Sequence, residues 1–524
     1  MIRPMRRPAV LLLLAVIATH LAVACLWLGR DEGLLDGDEL GVLGAVELFW
    51  GQTHADGAAA ALASSYLEDY GEYPALHYAI TGVALAWLGV EDLDGDGPRL
   101  VALGWGVLAL LATAWLAVEC ARWTGTEATD GGALAAALLA ASPLWAGTQR
   151  HLLLENAVCA LVALATAAYL AARRAAPDRP PVGPGWVIAA ALLVKQTALL
   201  ALAAAGLGIL ARAPRRRTEL LALAWVAGIG GLLVAWWYAR HLLFDGGYLA
   251  ASAGANPDSV GVVHQLAIYP LVLAQQAWAP AIWLLLGGLL AWRRPADRGW
   301  VLPATIVGIG LLILLPIPKK YPRLLLPLLP FGAVALALAL RGLPRAAHAG
   351  LAAALALSLI GSSFGIPPLL GPTDVGLRQL DERCPQRWMT EPSRPGLPWD
   401  ALVAAAEANG PGRDYRLGAV DWPAPPCGYQ TSHDLGEHLR IRLRRAGSEA
   451  DVGAGRSFVQ ADGWGTDGPP DVLLHAGPLV CGEPPGAAGA GDVCAGRGWR
   501  EVAALPFEHP AWSVDLRLSV PAVR

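Results

Sequence analysis

Apolar runs of about 20 residues, the length that crosses a bilayer, recur through the first two thirds of the chain and then stop. The first covers residues 9–29 behind Arg3, Arg6 and Arg7, the basic flank expected of a cytoplasmic start. A cleavable signal peptide with a site at residues 22–24 is the rival reading; the run is longer than a usual signal core, and further runs follow it. Residues 74–90 carry Pro74, His77 and Tyr78 and precede an acidic loop at residues 91–96, so they are expected as a juxtamembrane or re-entrant helix on the outer face. With that choice the later loops sort by charge. Residues 99–118 return to Arg122, 131–147 go out to Arg150 and His151, and 156–172 come back to Arg173, Arg174 and Arg179. Basic loops flank 185–211 on both sides, which a single straight span cannot satisfy. That stretch is therefore expected as a hairpin of two short helices with Lys195, Gln196 and Thr197 at its apex. Spans at 219–238, 266–292, 300–315, 324–340 and 350–366 complete eleven crossings and leave the C-terminal part outside.

From residue 367 the composition turns to Pro, Gly, Arg and Asp, and about 150 residues remain, enough for one small domain. Alternation at residues 440–443 and 513–518 predicts strands, and residues 400–408 predict a helix. The expected architecture is an all-α polytopic membrane domain over 1–366, with an external loop at 30–98, and a small α/β or α+β extracytoplasmic domain over 367–524. Overall composition agrees: 55% of the 524 residues are hydrophobic and 16% charged. The net charge of −4 gives no reason to expect a nucleic-acid partner. Cys384, Cys427, Cys481 and Cys494 lie in the polar part, where four cysteines allow three pairings and Cys481 with Cys494 closes the shortest loop.

The candidate chemistry gathers at span ends. Asp36-Gly37-Asp38-Glu39 follows the first span, and carboxylates held at a membrane boundary mark function. Arg99, Arg150, Lys195, Arg240, Lys319, Lys320 and Arg323 break the positive-inside trend and fall on the outer side, as does Glu155. Acids and bases gathered at one depth suit an anionic, phosphorylated lipid beside a general base. Each has a plainer reading. The acidic cluster could cap a helix in water, Arg150 and Glu155 could form an ion pair, Lys195 could snorkel, and the Lys319 group could meet ordinary headgroups. His77 and His151 as interfacial hydrogen-bonding residues outweigh metal ligation. Neither zinc-type spacing nor a phosphate-cradling loop is present in the sequence.

The order of these features resembles the GT-C superfamily of integral-membrane glycosyltransferases, in particular its protein mannosyltransferase and aminoarabinose-transferase branch. The likeness covers residues 1–341. It runs through Asp38-Glu39, Tyr73-Pro74-Ala75-Leu76-His77-Tyr78, Pro98-Arg99-Leu100-Val101, Ser142-Pro143 to Arg150 and Glu155, Leu193-Val194-Lys195-Gln196-Thr197, and Lys319-Lys320-Tyr321-Pro322-Arg323. What the resemblance implies is sugar transfer from a polyprenyl-phosphate donor to a protein, lipid or glycan acceptor at the outer face of the cytoplasmic membrane. Asp38, with Glu39 beside it, would be the base. Glu155 would orient substrate or hold a divalent cation. Arg150, Lys195, Lys319, Lys320 and Arg323 would contact phosphate, and Tyr73, His77 and Tyr78 would contact donor or acceptor. A surface-glycan ligase or polymerase using a lipid-diphosphate donor is the alternative enzyme, and a transporter the alternative of another class.

Overall fold

The computed structural model describes residues 7–30, 37–67, 74–90, 97–126, 131–243, 262–293, 298–317, 322–364 and 399–409, and strands at 417–419, 472–476, 499–509 and 512–521. Six helices among them are long and apolar enough to cross a membrane: Pro8–Leu28, Gly97–Trp123, Leu154–Ala175, Arg216–Arg240, Pro322–Ala339 and Ala346–Ser363. The chain is a multi-pass membrane protein. Apolar helices too short to cross unaided lie at Leu76–Trp87, Gly131–Ala140, Gly183–Val194, Ala198–Arg212 and Val301–Leu314.

Residues 266–292 do not form the one straight helix that their hydropathy predicts. Leu266–Ala277 and Pro280–Trp292 meet at 93°. The cause is local: Pro270 sits inside the first helix, a π-helical turn covers Leu273–Ala277, and Pro280 opens the second helix. Pro270 and the π-helical turn interrupt the regular i to i−4 ladder, and Pro280, opening its helix, has no N–H to bond back across the break. By contrast, the break expected at residues 195–197 is present. The helix Gly183–Val194 ends there and Ala198–Arg212 begins, the first packing on Leu154–Ala175 and Arg216–Leu243, the second on Val301–Leu314.

The core is built around Leu154–Ala175, here α8. Its apolar window is 83% buried, the highest share of any candidate span among the described residues, so it is the span most enclosed by protein. The helix α5, Gly97–Trp123, packs along it, as do Gly183–Val194 and the 3-10 segment Pro322–Leu328. Small residues permit the approach. A Cβ on Gly132, in the helix Gly131–Ala140, would lie 2.8 Å from the Ala114 carbonyl oxygen of α5.

Charges mark the two ends of α8. At its C-terminal end Arg174 pairs with Glu119 of α5 at 2.9 Å, and Arg122 meets the same carboxylate at 2.8 Å. Arg173 clasps Glu219 of the helix Arg216–Leu243 through Nε and Nη2, the closest contact being 2.9 Å, and Tyr169 donates to Glu219 at 2.6 Å. Arg173 also donates to the carbonyls of Pro177 and Arg179. The ends that the loop charges assign to one side are thus tied together. Glu155 lies at the opposite end, roughly 28 Å away at about 1.5 Å per residue, close to the thickness of a bilayer's hydrocarbon core.

By internal contacts the chain divides into two units. One comprises Met1–Gly29, Val42–Asp381 and Pro385–Glu391; the other comprises Arg30–Gly41, Glu382–Cys384 and Pro392–Arg524. In the second, four strands take the order β1-β2-β4-β3, with β1 Leu417–Ala419, β2 Val472–Ala476, β3 Trp499–His509 and β4 Trp512–Pro521. The first pair is parallel and the others are antiparallel, with a register shift between Glu501 and Ala503. The helix Trp399–Asn409 packs on β3 and β4. This helix and the strand at 512–521 match the sequence expectation. Residues 440–443 and the four C-terminal cysteines lie outside the described residues.

Candidate functional site

The N-terminal end of α8 is where the predicted residues come together. Leu153 is extended, and Glu155 stands in the first helical turn with its side chain buried. A buried carboxylate needs compensating charge. Lys195, held by the break after Gly183–Val194, supplies it: its Nζ lies 2.7 Å from Glu155 Oε1. Arg323, the second residue of the segment Pro322–Leu328, places its Nε 3.3 Å from the same oxygen. Three residues separated by up to 168 positions in the chain thus form one triad, Glu155 and Lys195 buried and Arg323 partly so. Cys159, one turn along α8, donates from Sγ to the Leu326 carbonyl at 3.5 Å and fastens the Arg323 segment to the helix.

The triad borders a narrow cleft that Thr197, Leu200, Ala201, Gly310, Leu314, Leu324, Pro327 and Leu328 also line. Its floor is charged and its remaining walls are apolar. A second cavity of about 230 Å³, lined by Leu273, Trp278, Trp283, Leu325 and Leu329 among others, shares Leu328 with the first. This pairing of a cationic spot with apolar surface suits an amphiphile that carries an anionic head.

Arg150 lies apart from this pairing. It is 2% exposed, donates to Ser363 Oγ, and its guanidinium carbon stands 5.1 Å over the Trp27 ring. The turn that carries it is held by a residue that sequence reasoning passed over. Asn156 donates from Nδ2 to the carbonyls of Thr148 and His151, at 3.0 and 2.8 Å, and accepts from Gln149 Nε2 at 2.9 Å. Ser142 caps the short helix Pro143–Thr148 before that turn by accepting from the Trp145 amide. The signal for Asn156 was its place directly after Glu155, at the helix start where an amide side chain reaches turn carbonyls.

His77 and Tyr78 occupy the first turn of Leu76–Trp87, both buried. His77 is within electrostatic reach of Glu155 and Lys195, stacks on Trp105 at 6.1 Å, and has no hydrogen-bond partner on either ring nitrogen among the described residues. Asp38 and Glu39 open the helix Gly37–Asp56, and Glu39 is buried. The Asp38 side chain, Tyr73, Lys319 and Lys320 lie outside the described residues. Among the described residues no three His, Cys, Asp or Glu side chains gather as a metal site, so no ligand set is named for a divalent cation.

Sequence comparison finds no matching family model and no matching curated protein. Structure comparison does find a counterpart. The crystal structure of ArnT from Cupriavidus metallidurans bound to undecaprenyl phosphate aligns with a TM-score of 0.55, covering 96% of this chain and 97% of that one, at 14% identity. The chain has the ArnT fold. The apo state of the same ArnT aligns at a TM-score of 0.44 with 19% identity, covering 66% of this chain and 62% of that one. The mycobacterial arabinofuranosyltransferase AftD aligns at 0.41 with 15% identity, covering 98% of this chain and 40% of that one. Both scores are too low to carry an argument. At 14% identity the ArnT match shows the fold alone, and the chemistry rests on the site itself.

Proposed function

We propose that the chain is a membrane glycosyltransferase that moves a sugar from a polyprenyl-phosphate donor to a hydroxyl of a protein, lipid or glycan acceptor. The observation that carries this reading is the triad of buried Glu155 and Lys195 with Arg323 beside an apolar cleft, on a fold whose solved counterpart holds undecaprenyl phosphate. In this reading Lys195 and Arg323 bind the lipid phosphate, with Arg150, Lys319 and Lys320 as further phosphate contacts. Asp38 accepts the acceptor's hydroxyl proton as the new C–O bond forms at the anomeric carbon. The bond from that carbon to the phosphate oxygen breaks, its electron pair stays on the phosphate, and the two cations stabilise the added charge. Glu39 assists at the acidic motif, and Tyr73, His77 and Tyr78 contact the sugar or the acceptor.

The same reading has eleven crossings of the cytoplasmic membrane, with the site and the C-terminal domain on its outer side. Two features favour it over transport. The triad sits at the end of α8, not at mid-span, and the opposite end is tied to the helix Arg216–Leu243 by the Arg173 and Glu219 clasp. The test is transfer of labelled sugar from polyprenyl-phosphate donors by the wild type and by Asp38→Asn, which the reading predicts to be inactive although folded.

A further inference from the structure

We propose that Tyr238 is a positioning residue for Lys195: it closes the end of the helix Gly183–Val194 and so fixes where the ammonium group stands. This rests on the reading of Lys195 as a contact of the lipid phosphate. Its consequence is that a hydroxyl on a helix outside the triad governs how fast the sugar–phosphate bond breaks.

The first support is the helix end. A helix that stops inside protein leaves its last carbonyls without partners in their own helix. Gly183–Val194 stops in this way, with Val194 and Lys195 both buried. Lys195 turns to extended backbone, and its amide reaches back to the Ala191 carbonyl at 3.2 Å. The next carbonyl along, that of Leu192, accepts from the Tyr238 hydroxyl at 3.2 Å. Tyr238 stands in the neighbouring helix Arg216–Leu243, 46 positions along the chain, so the bond ties the break to a separate element. The second support is the packing before it. A Cβ on Gly185 would lie 2.7 Å from Ile229 Cγ2, and one on Gly230 would lie 2.7 Å from Ile188 Cγ2. The two helices are therefore already in close contact about two turns before Leu192. That contact sets the spacing of the axes, and the tyrosine sets the end, one turn before the Lys195 side chain.

The chemistry makes this position matter. The phosphate gains charge as its bond to the anomeric carbon breaks, and a cation helps most when it is already in place. A displacement of about 1 Å is enough to slow such a step by up to about 100-fold. A tyrosine that merely added stability would change the lifetime of the fold, and leave the rate per folded molecule and its dependence on Lys195 untouched. Tyr66 is the matched control. Its hydroxyl donates to the Leu233 carbonyl at 2.8 Å, a bond of the same kind to the same helix Arg216–Leu243, but inside an unbroken run.

The test is transfer of labelled sugar from a polyprenyl-phosphate donor by the purified full chain in lipid nanodiscs, read as rate per folded molecule. Wild type, Tyr238→Phe, Tyr66→Phe, Lys195→Met and the double variant of Tyr238 and Lys195 are compared. Tyr238→Phe is expected to lower kcat about tenfold with KM changed less than about twofold, and Tyr66→Phe to stay within about twofold of wild type. In the Lys195→Met background Tyr238→Phe is expected to add nothing, because the two act through one group. Where Lys195→Met does not fold or is too slow to measure, amide hydrogen exchange of wild type and Tyr238→Phe decides. Exchange at residues 195–200 is expected to be at least about tenfold faster in the variant, with residues 183–188 unchanged. A Tyr238→Phe rate equal to wild type, an equal loss with Tyr66→Phe, the same loss repeated in the Lys195→Met background, or unchanged exchange at 195–200 overturns the inference and leaves the transferase reading in place. A folded Lys195→Met protein as fast as wild type, or a wild type without transfer, removes the reading beneath it.

Discussion

Replacing Asn156 by Ala tests how the site is held. Its carboxamide is fully buried and makes three hydrogen bonds: two donated to the Thr148 and His151 carbonyls, one before and one within the turn at 149–153, and one accepted from Gln149. The Thr148 and His151 carbonyls keep a backbone partner each, from the amides of His151 and Leu153. The loss is therefore three bonds at about 1 kcal/mol each, with a buried Gln149 amide nitrogen left unmet at a further ~1 kcal/mol or more. We expect about 4 kcal/mol of destabilisation or somewhat more in all. The same turn carries Arg150 and leads into Glu155, so a shift of about 1 Å is expected to slow transfer on the order of 100-fold. The assay pairs thermal inactivation half-life in detergent with the transfer rate at a temperature where the variant stays folded. Asn156→Asp keeps the acceptor oxygen, loses both donors and turns a carboxylate oxygen toward carbonyls; it is expected to be at least as damaging as Ala. An Asn156→Ala protein with wild-type half-life and a rate within twofold of wild type would refute the reasoning.

The remaining predictions concern packing and charge. Glu219→Gln leaves Arg173 buried without its counter-ion and is expected to cost about 3–5 kcal/mol, read as a lowered unfolding temperature; a change near zero contradicts the clasp. Gly208→Ala would bring a Cβ to 2.5 Å from Ile306 and is expected to cost about 1–3 kcal/mol, measured the same way. Gly308→Ala, where nothing lies within 4 Å, is the matched control and is expected to be neutral or mildly stabilising.

Much of this was legible in the sequence because hydropathy and loop charge report directly on which segments meet lipid. The polar break at Lys195 showed as one charged residue inside an apolar run, and the basic loops placed the C-terminal end of α8 with Arg212 and Arg122 before any contact was visible. The right-angle bend at residues 278–279 was not, since Trp278 and Ala279 are apolar and hydropathy averages over the proline that follows. For the candidate site, the sequence supplied Glu155, Lys195 and Arg323 as members of one group, but an ion pair between Glu155 and Arg150 was the expected plain alternative. The structure pairs Glu155 with Lys195 and Arg323. Three-body pairing across 168 residues has no periodic signature. Nor has Asn156, whose role depends on two carbonyl directions that only the folded turn defines.

The central claim is sugar transfer from a lipid phosphate, and its most direct measurement follows both halves of the donor at once. Purified full-length protein in nanodiscs would be given polyprenyl-phosphate donors labelled in the sugar, together with membranes that supply acceptors, and both labelled product and released polyprenyl phosphate would be counted. The account predicts equal amounts of the two with wild type, and neither above background with folded Asp38→Asn. A wild-type protein that moves labelled lipid between leaflets without breaking the sugar–phosphate bond, or an Asp38→Asn variant as fast as wild type, would contradict it.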